Sequence, residues 1–317
     1  MILAFLAVLL LIGGIFLITF SSGLAVKHSS YLAKALGISP LIIGLTLVSI
    51  GTDLSEIFNS IISSSMGHAD IDIGDSIGSC LVQLTLVFGL LPILCGGFDV
   101  KRREVVIMGI CQILALIVVY SIIEKGHVTT INALFMVGSL ALYFLITYTY
   151  TKETVQEKAA VIEIIEIQRS KSYHATIAFV AFGSVAVSAY IIVQSVIYIS
   201  NLLSIDEFII SFFMLSIGTS LPELAVDVNA LRRKESKLAL GDIIGSCIVD
   251  STLSIGIGQL FFPQDVTASL ATPTILYTIF ASLIAFVFIA FRQKIDRKAG
   301  ILLISLYFMS FSLFFLI

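Results

Sequence analysis

Residues 41–94 and 208–261 are two versions of one stretch, and any fold has to accommodate both. LIIGLTLVSIGTDLSEIFNSIISSSMGHADIDIGDSIGSCLVQLTLVFGLLPIL aligns with FIISFFMLSIGTSLPELAVDVNALRRKESKLALGDIIGSCIVDSTLSIGIGQLF without a gap at a constant offset of 167 residues. SIGT falls on SIGT, Glu56 on Glu223 and GDSIGSC on GDIIGSC. Both copies are largely apolar, yet both carry acids and hydroxyls of the kind that membrane-buried segments ordinarily exclude.

The chain around them leaves little choice of environment. Of its 317 residues, 58% are hydrophobic and 12% charged, and the mean hydropathy is +1.08. That is too little polar surface for a water-soluble globule of this size, so a polytopic, all-α membrane protein is expected, with lipid as its surroundings and no nucleic-acid partner. Apolar runs of spanning length lie near residues 1–26, 37–65, 71–95, 104–123, 131–149, 174–200, 207–231, 238–262, 268–291 and 299–317, which predicts ten transmembrane helices. The first run lacks a basic leader and a small-residue cleavage site, so it reads as a helix and not a signal peptide. KHSSYLAKALG, GHADID, DVKRRE, EKGH, NLLSID, RRKESK, FPQD and RQKIDRK mark the breaks. Cys80, Cys95, Cys111 and Cys247 lie in apolar segments without metal-site spacing and are expected as buried free thiols.

The longest polar connection, residues 150–173, separates a first half (1–149) from a second (174–317), five helices each. It is expected to be a solvated linker, an interfacial helix over VIEIIEIQRS being the alternative. Lysines and arginines fall seventeen in the odd-numbered loops and one, Lys125, in the even-numbered loops. The positive-inside rule then makes the odd loops and central linker cytoplasmic and puts both termini outside, in a cell membrane. With five helices per half, the two copies enter the membrane in opposite directions. Such inverted repeats place the substrate site at their interface near the midplane, as in many secondary transporters.

Helical spacing aligns the polar atoms in each copy: Thr52 with Glu56, Thr219 with Glu223, Ser79 with Gln83 and Ser246 with Asp250 are each four apart. Converging near the midplane, they would form a cage of hard oxygens suited to calcium, sodium or protons. Each uncompensated acid at the bilayer centre costs about 2.5–3.5 kcal/mol, so Asp53, Glu56, Glu223 and Asp250 together would cost roughly 10 kcal/mol without bound cations or protons. Pro222 and Gly218 predict a kink that frees carbonyls, whereas the first copy has Ser55 at the proline position and only Gly51 to break it. Gly74, Gly78, Gly89, Gly241, Gly245 and Gly256 read as close-packing positions. Asp75 and Asp242 read as helix caps or as ion-access groups. Asp227 reads as a gate or a partner of Arg232 or Arg233, and His68 as a loop residue.

SIGTSLPEL followed by GDIIGSCIVD, and SIGTDLSEI followed by GDSIGSCLVQ, resemble the two alpha repeats of the cation/calcium exchanger superfamily, particularly its prokaryotic sodium/calcium exchangers. The likeness spans the chain, since ten helices, outside termini and inverted halves are also that family's pattern. It implies that Glu56 and Glu223 are the central calcium carboxylates, shared with sodium, and that Asp250 is the acid of the later helix. Thr52, Thr219, Ser220, Ser79 and Ser246 would supply hydroxyl or carbonyl oxygens, and Ser49 and Ser216 backbone carbonyls. The first and sixth helices would slide across the remaining bundle. Asp53 stands where a serine is usual, Gln83 where an asparagine or aspartate is, Ser55 where the proline is, and Cys80 and Cys247 where asparagines are.

The reading is therefore a sodium/calcium antiporter without a resident cofactor and not an enzyme. Asp53, an added carboxyl that can carry a proton, keeps open a proton-coupled exchanger of calcium or of another divalent ion such as manganese. An intramembrane hydrolase is disfavoured because the acids recur in symmetric pairs with no Ser/His or HExxH set. A passive cation channel differs in carrying calcium without a counter-ion gradient.

Overall fold

Ten apolar runs separated by charges and turn formers become, in the computed structural model, an all-helical bundle described over residues 2–35, 49–150, 170–232, 234 and 236–315. The helices are α1 (Ile2–Ala35), α2 (Ser49–Thr52), α3 (Leu54–Ser65), α4 (Ala69–Leu94), α5 (Arg102–Ile123) and α6 (Thr130–Tyr150). After the central connection come α7 (Lys171–Leu203), α8 (Glu207–Arg232), α9 (Ser236–Phe261), α10 (Ala268–Arg292) and α11 (Arg297–Ser310), which ends in a 3₁₀ turn, Phe311–Phe315. Seven of the described helices, α1, α4, α5 and α7–α10, are long and apolar enough to cross a membrane. Their outer faces carry Phe16, Phe20, Phe179 and Phe291, large apolar side chains left exposed as lipid contact requires.

One boundary differs from expectation. α1 continues to Ala35 through the KHSSYLAKALG segment, because this segment has neither proline nor glycine before Gly37 and its lysines and serines are tolerated in a helix. The interfacial-helix question falls on residues 151–169, outside the described residues. On its far side Ser170 caps α7, its hydroxyl accepting the Tyr173 N–H at 3.3 Å.

Burial sorts the helices into inner and outer members. α4 and α9 are 78% and 89% buried over their apolar spans, against 33% and 39% for α1 and α7. The two repeat-bearing helices α4 and α9 thus form the centre, and α1 and α7 flank it. α1 and α7 pack into a second apolar cluster, apart from the main core, in which Leu11, Ile18, Val185, Ile192 and Val196 meet Ile71 of α4 and Ile210 and Leu215 of α8. At one end of this pair the His28 and His174 rings meet, Nδ1 to Nδ1 at 3.0 Å.

Short strands stitch the loops together across the halves. β1 (Phe98–Asp99) pairs antiparallel with β4 (Lys294–Ile295), and β2 (His127–Val128) with β3 (Gln264–Asp265). β2 and β4 are equivalent at the 167-residue offset, and each pairs with a strand of the other half. The α3–α4 loop joins the β2–β3 side: the Ala69 N–H donates to Gln264 Oε1 at 3.1 Å, and Asp70 accepts the Thr267 N–H at 2.8 Å. His68, expected to be a bystander, ties this loop to α8, its Nδ1 lying 2.8 Å from Glu207 Oε2.

The packing reading of the repeat glycines holds where α4 crosses α8. A Cβ at Gly74 would sit 2.6 Å from the Phe208 carbonyl oxygen, and one at Gly78 would meet the Phe212 carbonyl and, at 2.7 Å, the Ser216 side chain. Backbone cannot give way there as a flexible side chain can, so only glycine permits this approach. Gly78→Ala should therefore lower the thermal midpoint of the detergent-solubilised protein by an amount corresponding to about 1–3 kcal/mol. Gly183→Ala, where a methyl group meets nothing within 4 Å, should leave the midpoint unchanged or raise it.

Candidate functional site

The acids are placed by two kinds of helix irregularity, each occurring at equivalent positions of the two copies. The first is a single-residue break. Asp53, between α2 and α3, has φ −86° and ψ 15°, and Ser220, its equivalent inside α8, has φ −83° and ψ 3°. Both lie in the sparsely populated bridge region. The first-copy break, expected to rest on Gly51 alone, forms with Ser55 in the place that Pro222 holds in the other copy. Gly51 and Gly218, two residues earlier, are common to both. The break is also narrower than expected. The Ser220 N–H still reaches the Ser216 carbonyl at 3.1 Å, and the Leu224 N–H reaches that of Ser220 at 3.2 Å.

The second irregularity is a π turn, over Val82–Val87 in α4 and Asp250–Ser254 in α9. A π turn widens the helix and leaves carbonyls that need other donors. The hydroxyls of Thr85 and of its equivalent Thr252 supply them, to the Leu81 and Ile248 carbonyls respectively. Gln83 and Asp250 sit at corresponding places on these widened turns.

Together the irregularities bring three carboxylates to one point. Asp53, Glu56 and Glu223 are buried, and one carboxylate oxygen from each lies within 4.8 Å of the others, a set able to hold a metal ion. The Ser55 hydroxyl donates to Glu56 Oε2 at 2.6 Å and fixes that carboxylate. Glu56 Oε1 and both Glu223 oxygens have no hydrogen-bond partner among the described residues. Asp250, likewise buried with both oxygens unpartnered, lies within electrostatic reach of Asp53, Glu56 and Glu223. At 4.8 Å two ionised carboxylates repel by roughly 3 kcal/mol for an effective dielectric of about 20. A bound cation or shared protons remove that repulsion and satisfy the unpartnered oxygens together.

The hydroxyls surround this cluster in matched pairs. Ser79 Oγ and Thr219 Oγ1 are 3.2 Å apart, and their equivalents Ser246 and Thr52 approach to 3.5 Å. Ser220 is buried, its hydroxyl without a partner among the described residues. Ser216 spends its hydroxyl on the Phe212 carbonyl at 2.5 Å, and of Ser49 only the backbone, in α2, is described. The cysteines meet where the copies touch: Cys80 Sγ donates to the Cys247 carbonyl at 3.1 Å, and Cys247 Sγ to Gln83 Oε1 at 3.3 Å. All four cysteines are free, and Cys95 is half-buried at a helix end instead of buried as expected.

The capping reading of Asp75 and Asp242 is overturned, because each is the seventh residue of its helix and is buried. Asp75 instead accepts from the Thr219 hydroxyl and from Asn59 Nδ2, both at 3.0 Å, and so touches the site. Asp227 is fully buried on the same helix as Glu223. Asn59 is not duplicated and so carries no repeat signal; its spacing from Glu56, three residues on along one helix face, is the signal the sequence holds for it.

Known proteins bear on this geometry. Residues 6–150 and 173–316 match the family described as sodium/calcium exchanger protein. The inner membrane protein YrbG of Escherichia coli K12 is 26% identical over 82% of both chains. The putative antiporter CaxA of Alkalimonas amylolytica is 26% identical over 94% of this chain and 95% of its own. The sodium-calcium exchanger NCX_Mj, in a structure soaked with sodium and strontium, superposes with a TM-score of 0.62 at 27% identity, covering 98% of both chains. With nearly its whole length accounted for, this chain belongs to the sodium/calcium exchanger family, whose members are multi-pass membrane transporters.

Proposed function

We propose that this cation/calcium antiporter exchanges sodium for calcium through one site built on Glu56, Glu223, Asp250 and Asp53. Gln83, Thr52, Thr219, Ser220, Ser79 and Ser246 complete the site with side-chain oxygens, and Ser49 and Ser216 with backbone carbonyls. The observation that carries the reading is the approach of three buried carboxylates to within 4.8 Å at two equivalent helix breaks. Oxygen-only donors in a dry setting favour hard cations. Because the acids answer either to one divalent ion or to monovalent ions in turn, binding of one cation excludes the other, which is the basis of exchange.

In this reading the halves 1–149 and 174–317 are inverted five-helix repeats within a ten-helix bundle. The reciprocal strand pairing, β1 with β4 and β2 with β3, supports it. The charge bias of the loops supports termini outside and a cytoplasmic central connection. α1 and α7 move as one unit across the α2–α3, α4, α8 and α9 centre, exposing the site alternately to either side. The low burial of α1 and α7 beside that of α4 and α9 supports that division.

Calcium-45 uptake into proteoliposomes tests the reading. Vesicles loaded with sodium should accumulate calcium, and vesicles with only an outward proton gradient should not. Uptake in the absence of any counter-ion gradient would instead identify a channel. Glu56→Gln and Glu223→Gln should each reduce uptake to background while leaving the protein monodisperse.

A second reading, proton-coupled calcium exchange, is favoured by one specific feature, the third carboxylate that Asp53 adds within 4.8 Å of the other two. Asp53→Ser separates the readings, because Ser220 already occupies the equivalent break. Sodium-driven uptake should be reduced but not abolished by this substitution, since Glu56, Glu223 and Asp250 remain. Uptake driven by protons alone in the parent, and lost in the variant, would move the coupling to protons with Asp53 as carrier.

A further inference from the structure

Gln83 is the only amide among the proposed ligands, and it is fully buried on the π turn of α4. A carboxylate is drawn to a cation by its charge. A neutral amide on a flexible arm is not, so its oxygen serves well only when something holds it. The Gln83 side chain has one hydrogen-bond partner among the described residues, the Cys247 thiol of α9, which donates to Gln83 Oε1 at 3.3 Å across 164 residues of chain. Gln83 Nε2 has none. The same thiol has a second acceptor in the Cys80 carbonyl, but at the longer distance of 3.7 Å.

This contact is not imposed by the duplication. At the 167-residue offset Cys247 matches Cys80 and Gln83 matches Asp250, so the equivalent bond would run from Cys80 to Asp250. It does not form. Cys80 Sγ donates instead to the Cys247 carbonyl at 3.1 Å and meets Ser251 Oγ at 3.3 Å. Both Asp250 oxygens are without a hydrogen-bond partner among the described residues. The charged arm is left open to a cation, and the uncharged arm is held. Cys247 also lies within electrostatic reach of Asp53 and Asp250, which puts the held amide at the edge of the carboxylate cluster.

An amide oxygen has two lone pairs, and a thiol is a weak donor. A thiol on one lone pair therefore fixes the arm while the other stays available to a hard cation. Without that donor Gln83 would sample other rotamers, and the cation would have to order it on binding.

We propose that Cys247 is a positioning residue of the cation site, its thiol holding the Gln83 amide oxygen in place for the ion. It acts across the contact between the two copies, from α9 onto α4, and compensates in the first copy for the charge that Asp250 supplies in the second. The inference rests on the reading of Gln83 as a ligand in the central cluster.

Equilibrium binding of calcium-45 to the purified full-length protein, in sodium-free detergent, tests it. Cys247→Ala should raise the half-saturating calcium concentration about two- to fivefold, the size of one weak hydrogen bond, with the number of ions bound per chain unchanged. Cys247→Ser, which keeps a donor, should recover most of that loss. In a Gln83→Leu background, where the amide is gone and the volume is largely kept, Cys247→Ala should add nothing. Cys80→Ala, whose thiol is bonded elsewhere, should have the same effect in both backgrounds. Unchanged half-saturation in Cys247→Ala, or a shift that persists in full beside Gln83→Leu, would overturn the positioning role. Binding untouched by Gln83→Leu would overturn it too, and would leave the carboxylate site standing if Glu223→Gln still abolishes binding. Full binding by Glu223→Gln would instead count against the central reading, with the paired Cys247 and Gln83 variants still deciding the positioning role. If Cys247→Ala is not monodisperse, Cys247→Val, which fills the space without a donor, is read in its place.

Discussion

Carboxylates that approach one another inside a low-dielectric bundle have to be forced together, and the rest of the structure supplies that force. Asp53, Glu56 and Glu223 meet within 4.8 Å while fully buried, a grouping that opposes both solvation and charge repulsion. What holds it is close backbone packing of α4 on α8, made possible by Gly74 and Gly78, together with the breaks at Asp53 and Ser220 that turn the acids inward. The ordinary apolar contacts of the bundle supply the stability against which this local cost is set. A site so held is poised for a cation, because a bound cation relieves the strain that folding imposes.

The duplication is symmetric in backbone and asymmetric in charge. Breaks, π turns and hydroxyl pairs fall at equivalent positions of the two copies. Of the four acids of the proposed site, only Glu56 and Glu223 do so. The first copy adds Asp53 where the second has Ser220, and the second adds Asp250 where the first has Gln83. Each copy thus contributes two acids, but from different helices, so the negative charge is spread around the cluster. Cys80 and Cys247, each donating its thiol across the contact between copies, fill the middle with weakly polar groups.

The outer pair answers a different requirement. α1 and α7 pack on each other in a second apolar cluster, into which α4 sends Ile71 and α8 sends Ile210 and Leu215. The α3–α4 loop and the loops carrying β2 and β3 are tied by hydrogen bonds and strand pairing on one face of the centre, with β1 and β4 paired elsewhere. A cross-linked centre beside a less buried pair is the division on which the proposed movement of α1 and α7 rests.

Hydrophobic runs were enough to determine a helical membrane protein, and the 167-residue offset to single out Glu56, Glu223 and Asp250 as buried acids, because an acid in an apolar run is a local anomaly visible without coordinates. The residues that act through neighbours far along the chain were decided only by tertiary structure. Asp75 looks like a cap until α8 brings Thr219 to it across 144 residues. Asp72 is an unremarked single acid until α3 brings Ser60 and α9 brings Gln259 beside it. The break at Asp53 also belongs to packing, since its own copy has serine in place of proline and local propensity alone would let that helix run on. Spacing along a helix fixes which side chains share a face; which face meets which is set by the close backbone contacts between helices.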